Sequence, residues 1–569
     1  MTDGGQIKEG HPSERAVLWV RYLELADKTG DMSRVERAIR GLDGRFDVLP
    51  DHMFLRLLRL SKHIADSDFA ARVLAEVFAR DRLDEKLAKE CLHWANGTVE
   101  HPHALRVKDR LIEKVMPKHR ASFALAASIV LEGPEAAYRS ARTDFAFTTR
   151  PSEAVQLSEA VVETGRTHLA ARFLRRAVQR WPTDVALQNS LFRALLGVGD
   201  TTGAQSVLSD QARYLSETQR RARQLDILKA EGRNDEAWAH HQALERDDPR
   251  YARSFECLRM NVFFGEVADF RKVAYEVMAK HRHHLRATFL GSVVDEMRIY
   301  SVANPPDEDR SVTVEDAVCY YHPAAQIVRG LRQGPYQTGA PSTPTRRIFQ
   351  YWDSANVPEL VAEITQTWQS VDGWSYQRFT RAEALKWLGD HFDRRHTRAF
   401  RMVRREAEQA DFLRLCLLEA EGGIYADADD RLTGCPDALL QGAQGAVFFT
   451  EAFGCLCNNV IYAPAGHVVI STARRMACEA LLRRDNDKVW LKTGPGLLTR
   501  ALARCALEGL LEDQSDPTRA VTILPNAALK RHVAPHLKLP YKQTDQNWAH
   551  SHAAVPPAIK AAWDRVVEG

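Results

Sequence analysis

"ADFLRLCLLEAEGGIYADADDRL", Ala410 to Leu432, joins an amphipathic helix to a short apolar run through two glycines. The run ends in Asp427, Asp429 and Asp430. Gly422 and Gly423 predict a sharp exit from the helix into a buried strand, because glycine tolerates positive φ at a helix end. "IYA" is that strand, and it sets carboxylates at its carboxyl end. In an open α/β sheet that end is where ligands bind. Asp427 and Asp429, at i and i+2, project to one side of an extended chain. Two carboxylates so placed suit a hard divalent cation that keeps open positions for phosphate oxygens.

Outward from this stretch, strand-like and helix-like segments alternate. "RIFQYW", "WSYQRF", "GAVFFT" and "NVIYAP" read as strands, and "PELVAEITQTWQSV", "RAEALKWLGDHF" and Phe400 to Glu421 as helices. The alternation predicts a mostly parallel sheet with helices on both faces. "LRQGPYQTGAPSTPTRR", Leu331 to Arg347, is rich in Gly, Pro, Ser and Thr and predicts a linker. The expected domains are therefore a helical region over 1–330, a linker over 331–344 and an α/β domain over 345–569.

The first half repeats. Gly165, Gly199 and Gly232 stand 34 and 33 residues apart, each followed by a helix-facing alanine, Ala170, Ala204 or Ala237. Pro182 and Pro249 close two of these units. The period and the residues resemble tetratricopeptide repeats, with His241 and Gln211 where Leu or Ala is usual. Looser echoes occur near Gly30, Ala65, Gly97, Gly133 and Gly265. Such arrays form solenoids with a concave face for a protein partner, or serve only as support for a neighbouring domain.

Composition excludes several classes. The chain of 569 residues has a net charge of +3, 45% hydrophobic and 27% charged residues. No basic field calls for nucleic acid. No run of 18 apolar residues predicts a membrane span, and the start lacks an apolar leader, so a cytoplasmic location is expected. Nine scattered cysteines suit a reducing compartment. Cys455 and Cys457 form a CxC pair without a second pair at zinc spacing.

From Thr345 to His552 the segments resemble the DXD-containing glycosyltransferases of family 32, the group that includes capsular-polysaccharide sugar transferases and yeast-type mannosyltransferases. "RRIFQYW" matches the opening strand, with Tyr351 in place of an apolar residue. "ADFLRLCLLEAEGGIYADAD" matches the central pattern, with Ala410 in place of serine. "NNVIYAPAGH" and "TGPGLLT" match two later segments. The resemblance implies a nucleotide-binding fold of the GT-A type behind a tetratricopeptide-like solenoid. It implies metal-dependent, retaining transfer of a hexose from a nucleotide-diphosphate sugar to a saccharide or protein acceptor.

By the same resemblance, Asp429 coordinates the metal and Asp427 contacts ribose and metal. Asp411 holds donor-sugar hydroxyls, and Arg414 the leaving phosphate. Gln350, Tyr351 and Trp352 lie along base and ribose, although Trp352 reads equally as core. Asn458 and Asn459 bind sugar hydroxyls or are turn residues. Thr493, Gly494 and Pro495 shape the sugar pocket. His550 approaches the diphosphate or metal, although Trp548 precedes it where the family's Ser-Trp pair follows. Asp430 reads as solvated.

Two other readings compete. "DADDR" as a haloacid-dehalogenase nucleophile needs Thr or Val where Arg431 stands. A repeat-based adaptor with an inactive transferase domain conflicts with the complete aspartates.

Overall fold

The computed structural model describes residues 12–29, 31–42, 46, 48–61, 64, 66–141, 150–264, 293, 295–297, 299–300, 311–333, 344–403, 405–451, 454–537, 539 and 557–568. The chain divides into two compact units, Met1–Thr164 with Pro540–Gly569, and Gly165–Leu539. This differs from the expected boundaries at 330 and 345. The expected linker falls mostly on 334–343, outside the described residues.

The first unit is helical, from Pro12–Thr29 to Pro151–Glu163. Its core runs through Leu23, Phe54, Phe69, Leu92 and Phe123. The helix Pro557–Glu568, expected to end the catalytic domain, belongs here. Its Trp563 is fully buried, edge-on to Phe78 at 6.0 Å and to Trp94 at 5.9 Å. The apolar face of this helix, Ile559, Ala562 and Trp563, is buried in that core.

The second unit opens with helices Thr167–Arg180, Val185–Gly197, Thr201–Gln211, Glu217–Ala230, Asn234–Asp247, Pro249–Ala252 and Phe255–Phe264. Gly165, Gly199 and Gly232 adopt φ of +80°, +72° and +73°. Ala170, Ala204 and Ala237 are fully buried. The glycine turns and alanine contacts are thus as the repeat pattern expects. A Cβ at Gly199 would lie 2.1 Å from Arg531 Nε, and one at Gly165 2.7 Å from Ala534 Cβ. The helices therefore pack closely on the chain that follows the sheet's last strand, which explains why they share its unit.

The sheet has six strands: β1 Arg347–Tyr351, β2 Ser375–Phe379, β3 Gly423–Ala426, β5 Ala446–Thr450, β6 Val460–Ala463 and β7 Val521–Pro525. Their order is β2-β1-β3-β6-β5-β7. β1 is parallel to β2 and β3, and β5 to β7, while β6 is antiparallel to both β3 and β5. The sheet is therefore mixed. A nine-residue connection from β5 to β6, over 451–459, has no room for a crossover helix and returns the chain antiparallel. A two-stranded ribbon pairs β4, Arg431–Leu432, with β8, Val533–Ala534.

Both faces of the sheet are covered, and the strands alternate between two cores. Phe349, Tyr425 and Phe448 face one core with helices Glu406–Glu421, Val468–Arg483 and Pro495–Leu507. Ile348, Ile424 and Val447 face another with Trp368 of helix Glu359–Gln369. Strands buried on both sides read as continuous apolar runs. The expected helix Phe400–Glu421 is two helices, Arg394–Met402 and Glu406–Glu421. Among the described residues, no helix is long and apolar enough to cross a membrane.

Candidate active site

The Gly pair works sterically as well as conformationally. Gly422 has φ +67° and Gly423 +120°. A Cβ on Gly422 would come within 2.6 Å of Ala465 N, and one on Gly423 within 2.6 Å of Arg347 O. Only a bare backbone fits between β1 and the chain after β6. This brings β3 directly out of the helix, at the centre of the sheet.

Asp427 then leaves β3 with its N–H donating to Asn459 O at 2.9 Å. Arg414, buried on the Glu406–Glu421 helix, reaches across to it. Arg414 Nη2 donates to Asp427 Oδ1 at 2.9 Å and stands 3.0 Å from Asp411 Oδ1. Its Nη1 donates to Asn458 O, and its guanidinium lies 4.5 Å from the Tyr425 ring centroid. Asp411 accepts from Asn458 Nδ2 at 2.8 Å and from Thr493 Oγ1 at 3.0 Å. Gly494 brings the next turn against the same carboxylate: a Cβ there would lie 3.4 Å from Asp411 Oδ2. Six expected residues, Asp411, Arg414, Asp427, Asn458, Thr493 and Gly494, thus meet around one buried guanidinium.

Gln350 supports this group from below. It is fully buried, donates to Asp427 O at 3.1 Å and accepts from Tyr376 hydroxyl at 2.9 Å. Tyr351 is packed in the core, its hydroxyl donating to Gln409 at 2.7 Å. Trp352 N donates to Phe379 O at 2.9 Å, which extends the β1–β2 pairing by one residue.

Asp430 is not solvated. It is fully buried, and its Oδ1 accepts the His536 N–H at 2.7 Å while its Oδ2 accepts Asn459 Nδ2. Its carbonyl accepts Trp368 Nε1 at 2.7 Å. It anchors the turn that presents Asp427 and Asp429. Asn459 therefore holds the loop through both its carbonyl and its amide.

His536 is the residue that the sequence did not single out. It has φ +54°, lies two residues past the end of β8 and stands 4.0 Å from Asp430 through Nδ1. Its ring is 59% exposed, and the Leu537 N–H donates to Asp429 O at 3.3 Å. The β4–β8 ribbon carries it there, and two-residue strands leave no pattern in a sequence. His550 and His552 lie outside the described residues.

The charges are unevenly balanced. Burial pushes the Asp427 carboxyl up to about 7, against the pull of Arg414 and with Asp430 and Asp429 adding repulsion. Burial likewise raises Asp411, and Arg414 opposes the rise. Burial disfavours the charge on Arg414, but Asp427 and Asp411 outweigh it and raise its pKa. Desolvation opposes protonation of His536, yet Asp430 and Asp429 raise its pKa overall. Crowded carboxylates of this kind are relieved by a cation. Asp427 keeps Oδ2 free of Arg414 and Asp429 is half-buried, so the loop presents two oxygen donors and no closed cage. That donor set fits a divalent ion that also binds phosphate.

Residues 346–445 match the family model of the glycosyltransferase sugar-binding region containing DXD motif. The matched stretch is a transferase region, and such regions bind a divalent cation. It holds Gln350, Asp411, Arg414, Asp427 and Asp429, and ends just before β5. Asn458, Thr493 and His536, which contact Asp411, Arg414 or the loop of Asp427 to Asp430, lie beyond it. A solved structure described as the PaToxG glycosyltransferase is similar at 17% identity over 45% of this chain and 94% of that one, with a TM-score of 0.25. No curated protein matches the chain. Cys455 and Cys457 are buried, and Cys457 Sγ accepts Asn526 Nδ2 at 3.5 Å.

Proposed function

We propose that the chain is a metal-dependent, retaining glycosyltransferase that takes a hexose from a nucleotide-diphosphate sugar. The observation that carries this reading is the single guanidinium shared by Asp411 and Asp427, beside a half-buried Asp429. When bound, Mn²⁺ or Mg²⁺ acts as a Lewis acid on the leaving diphosphate. Asp429 and Asp427 Oδ2 would hold it, with the His536 ring approaching from β8.

Asp411 orients hydroxyls of the donor sugar, and Asn458 and Thr493 fix that carboxylate in turn. Arg414 holds Asp427 in place and adds positive charge where the leaving group gathers negative charge. Gln350 keeps the Asp427 backbone from shifting. Trp352, just past β1, lies along the base and ribose. The helical repeats serve a saccharide or protein acceptor, or a protein partner.

The test is hydrolysis of a panel of nucleotide sugars by the full chain, with Mn²⁺, with Mg²⁺ and with chelator. One donor should turn over with metal and stop in chelator and in Asp429→Asn. Undiminished turnover in chelator would reject the metal-dependent reading.

A further inference from the structure

The position where the repeat pattern expects Leu or Ala holds His241, and both of its ring nitrogens meet polar partners. His241 and Glu245 lie one turn apart on helix Asn234–Asp247, and Cys257 and Asn261 one turn apart on helix Phe255–Phe264. All four side chains converge. His241, Cys257 and Asn261 are at most 2% exposed. Among the described residues, His241, Glu245 and Cys257 form the one group of three such side chains whose ligand atoms all lie within 4.8 Å of one another.

Contacts of 2.8–3.8 Å link the four side chains, a spacing near that of tetrahedral ligands. Cys257 Sγ is 3.2 Å from Glu245 Oε1, and His241 Nε2 is 3.8 Å from Glu245 Oε2. Asn261 Oδ1 is 2.8 Å from His241 Nε2, and its Nδ2 is 3.6 Å from Cys257 Sγ. A tetrahedral zinc ion, with bonds of about 2.0–2.3 Å, sets its N, O and S ligands about 3.3–3.6 Å apart. The far nitrogen of His241 stands 2.9 Å from the Tyr251 hydroxyl. A ligating histidine needs that second contact to fix its tautomer. Trp238, Tyr251 and Phe264 wall the imidazole at 5.3, 5.7 and 6.0 Å between ring centroids.

Charge points the same way. Glu245 aims its carboxylate at a thiol and an imidazole and accepts the Asn261 Nδ2 at 3.3 Å, and among the described residues no Lys or Arg pairs with it. We infer that His241, Glu245, Cys257 and Asn261 form a structural site for a zinc-class divalent ion, separate from the transferase site. On binding, the Cys257 S–H bond breaks, a metal–sulfur bond forms and the proton goes to solvent. His241 moves its proton to Nδ1, facing the Tyr251 hydroxyl, and offers the Nε2 lone pair. Asn261 turns its carbonyl oxygen to the ion. Thiolate and carboxylate then neutralise the dication, and the ion ties the two helices together.

The experiment titrates the metal-freed full chain with Co²⁺ in excess Mg²⁺, which occupies carboxylate sites without taking a thiolate. One equivalent should give a near-ultraviolet thiolate-to-cobalt charge-transfer band and tetrahedral visible bands. Zn²⁺ should displace both. The band should vanish in Cys257→Ser, persist in Asp429→Asn, and need at least about tenfold more Co²⁺ in Glu245→Gln. Circular dichroism shows whether Cys257→Ser folds. If it does not, the native chain and Glu245→Gln decide. No band in the native chain, a band kept in folded Cys257→Ser, or unchanged affinity in Glu245→Gln would overturn the site. The four side chains would then be a closed hydrogen-bonded cluster.

Discussion

Arg414 donates to Asp427 Oδ1 at 2.9 Å from a helix whose own Asp411 it also touches, so one buried cation is shared between a buried and a partly buried acid. Removing it has two consequences. Arg414→Ala should lower kcat for donor hydrolysis by about 10²–10³, as loss of one preorganised donor does. It should also cost about 3–5 kcal/mol of stability, because buried Asp411 and partly buried Asp427 lose their counter-charge. Arg414→Lys keeps the charge and loses the fork, so it should fold better than the alanine variant while remaining slow. Urea unfolding and steady-state kinetics on both variants check this. An alanine variant with native kcat and stability would refute it.

Metal affinity should depend on pH through Asp427. Its carboxyl, raised to about 7, binds a proton that the cation must displace. Below that pH the apparent Mn²⁺ affinity should rise about tenfold per pH unit, and above it level off. The same raised value means that this group favours the fold most below the ordinary carboxyl range and loses that contribution as pH rises through about 7. Metal reverses the loss. Calorimetric Mn²⁺ titrations from pH 5 to 8 (roughly the range bracketing this group) test the slope, and a flat profile counts against it.

His536 separates a backbone role from a ring role. Its N–H holds Asp430, and its φ of +54° is one that glycine adopts without strain. His536→Gly should keep that hydrogen bond and change stability by less than about 1 kcal/mol. Turnover should nevertheless fall by about tenfold or more, since a side chain used in proton or metal contacts contributes on that scale. Native turnover in the glycine variant would confine His536 to its backbone.

Asp430→Ala should act on the loop as a whole. It strips the partner from the His536 N–H and from the buried Asn459 amide. Each buried group left unpaired costs about 1–3 kcal/mol. Melting temperature should fall, and donor hydrolysis should fall with it although Asp430 touches no substrate. Unaltered melting would show that the anchor is dispensable.

Fragments should follow the compact units. A fragment covering 165–539 should fold and bind donor, whereas one beginning at 345 loses the helices whose turns pack on Arg531 and Ala534 and should aggregate. Size-exclusion chromatography and donor calorimetry compare the two. A soluble, donor-binding 345–539 fragment would show that the helices are dispensable to the sheet.

Most of the site was legible where chemistry and local pattern coincide. The Gly pair, β3 and Asp427 share one stretch, and Arg414 follows Asp411 on one helix face, so spacing carries their juxtaposition. Asn458 and Thr493 come from distant segments, and only a family resemblance brings them in. Asp430 was misread because its burial depends on Trp368 and His536, 62 and 106 residues away. β7 and the ribbon of β4 and β8 were missed, and so was His536. The direction of β6 depends on the length of a loop that carries no periodic signal. The helical hairpins were readable from glycine spacing, but nothing in that spacing says that their turns pack on Pro525 to Leu537.

The return of helix Pro557–Glu568 to the first unit has a consequence for synthesis. Trp563, with Ile559 and Ala562 of the same helix, fills a core otherwise built from residues before 164. During translation that core stays open while the next several hundred residues emerge. The sheet unit, continuous from 165 to 539, has all its parts earlier. The unit begun before the sheet unit is therefore completed after it, and its apolar helix faces wait for the time needed to translate everything between. Domains normally fold in the order of synthesis. Here Trp563→Ala, which removes a large buried side chain worth about 3–5 kcal/mol, should harm newly made chains in the cell more than its effect on the purified protein suggests.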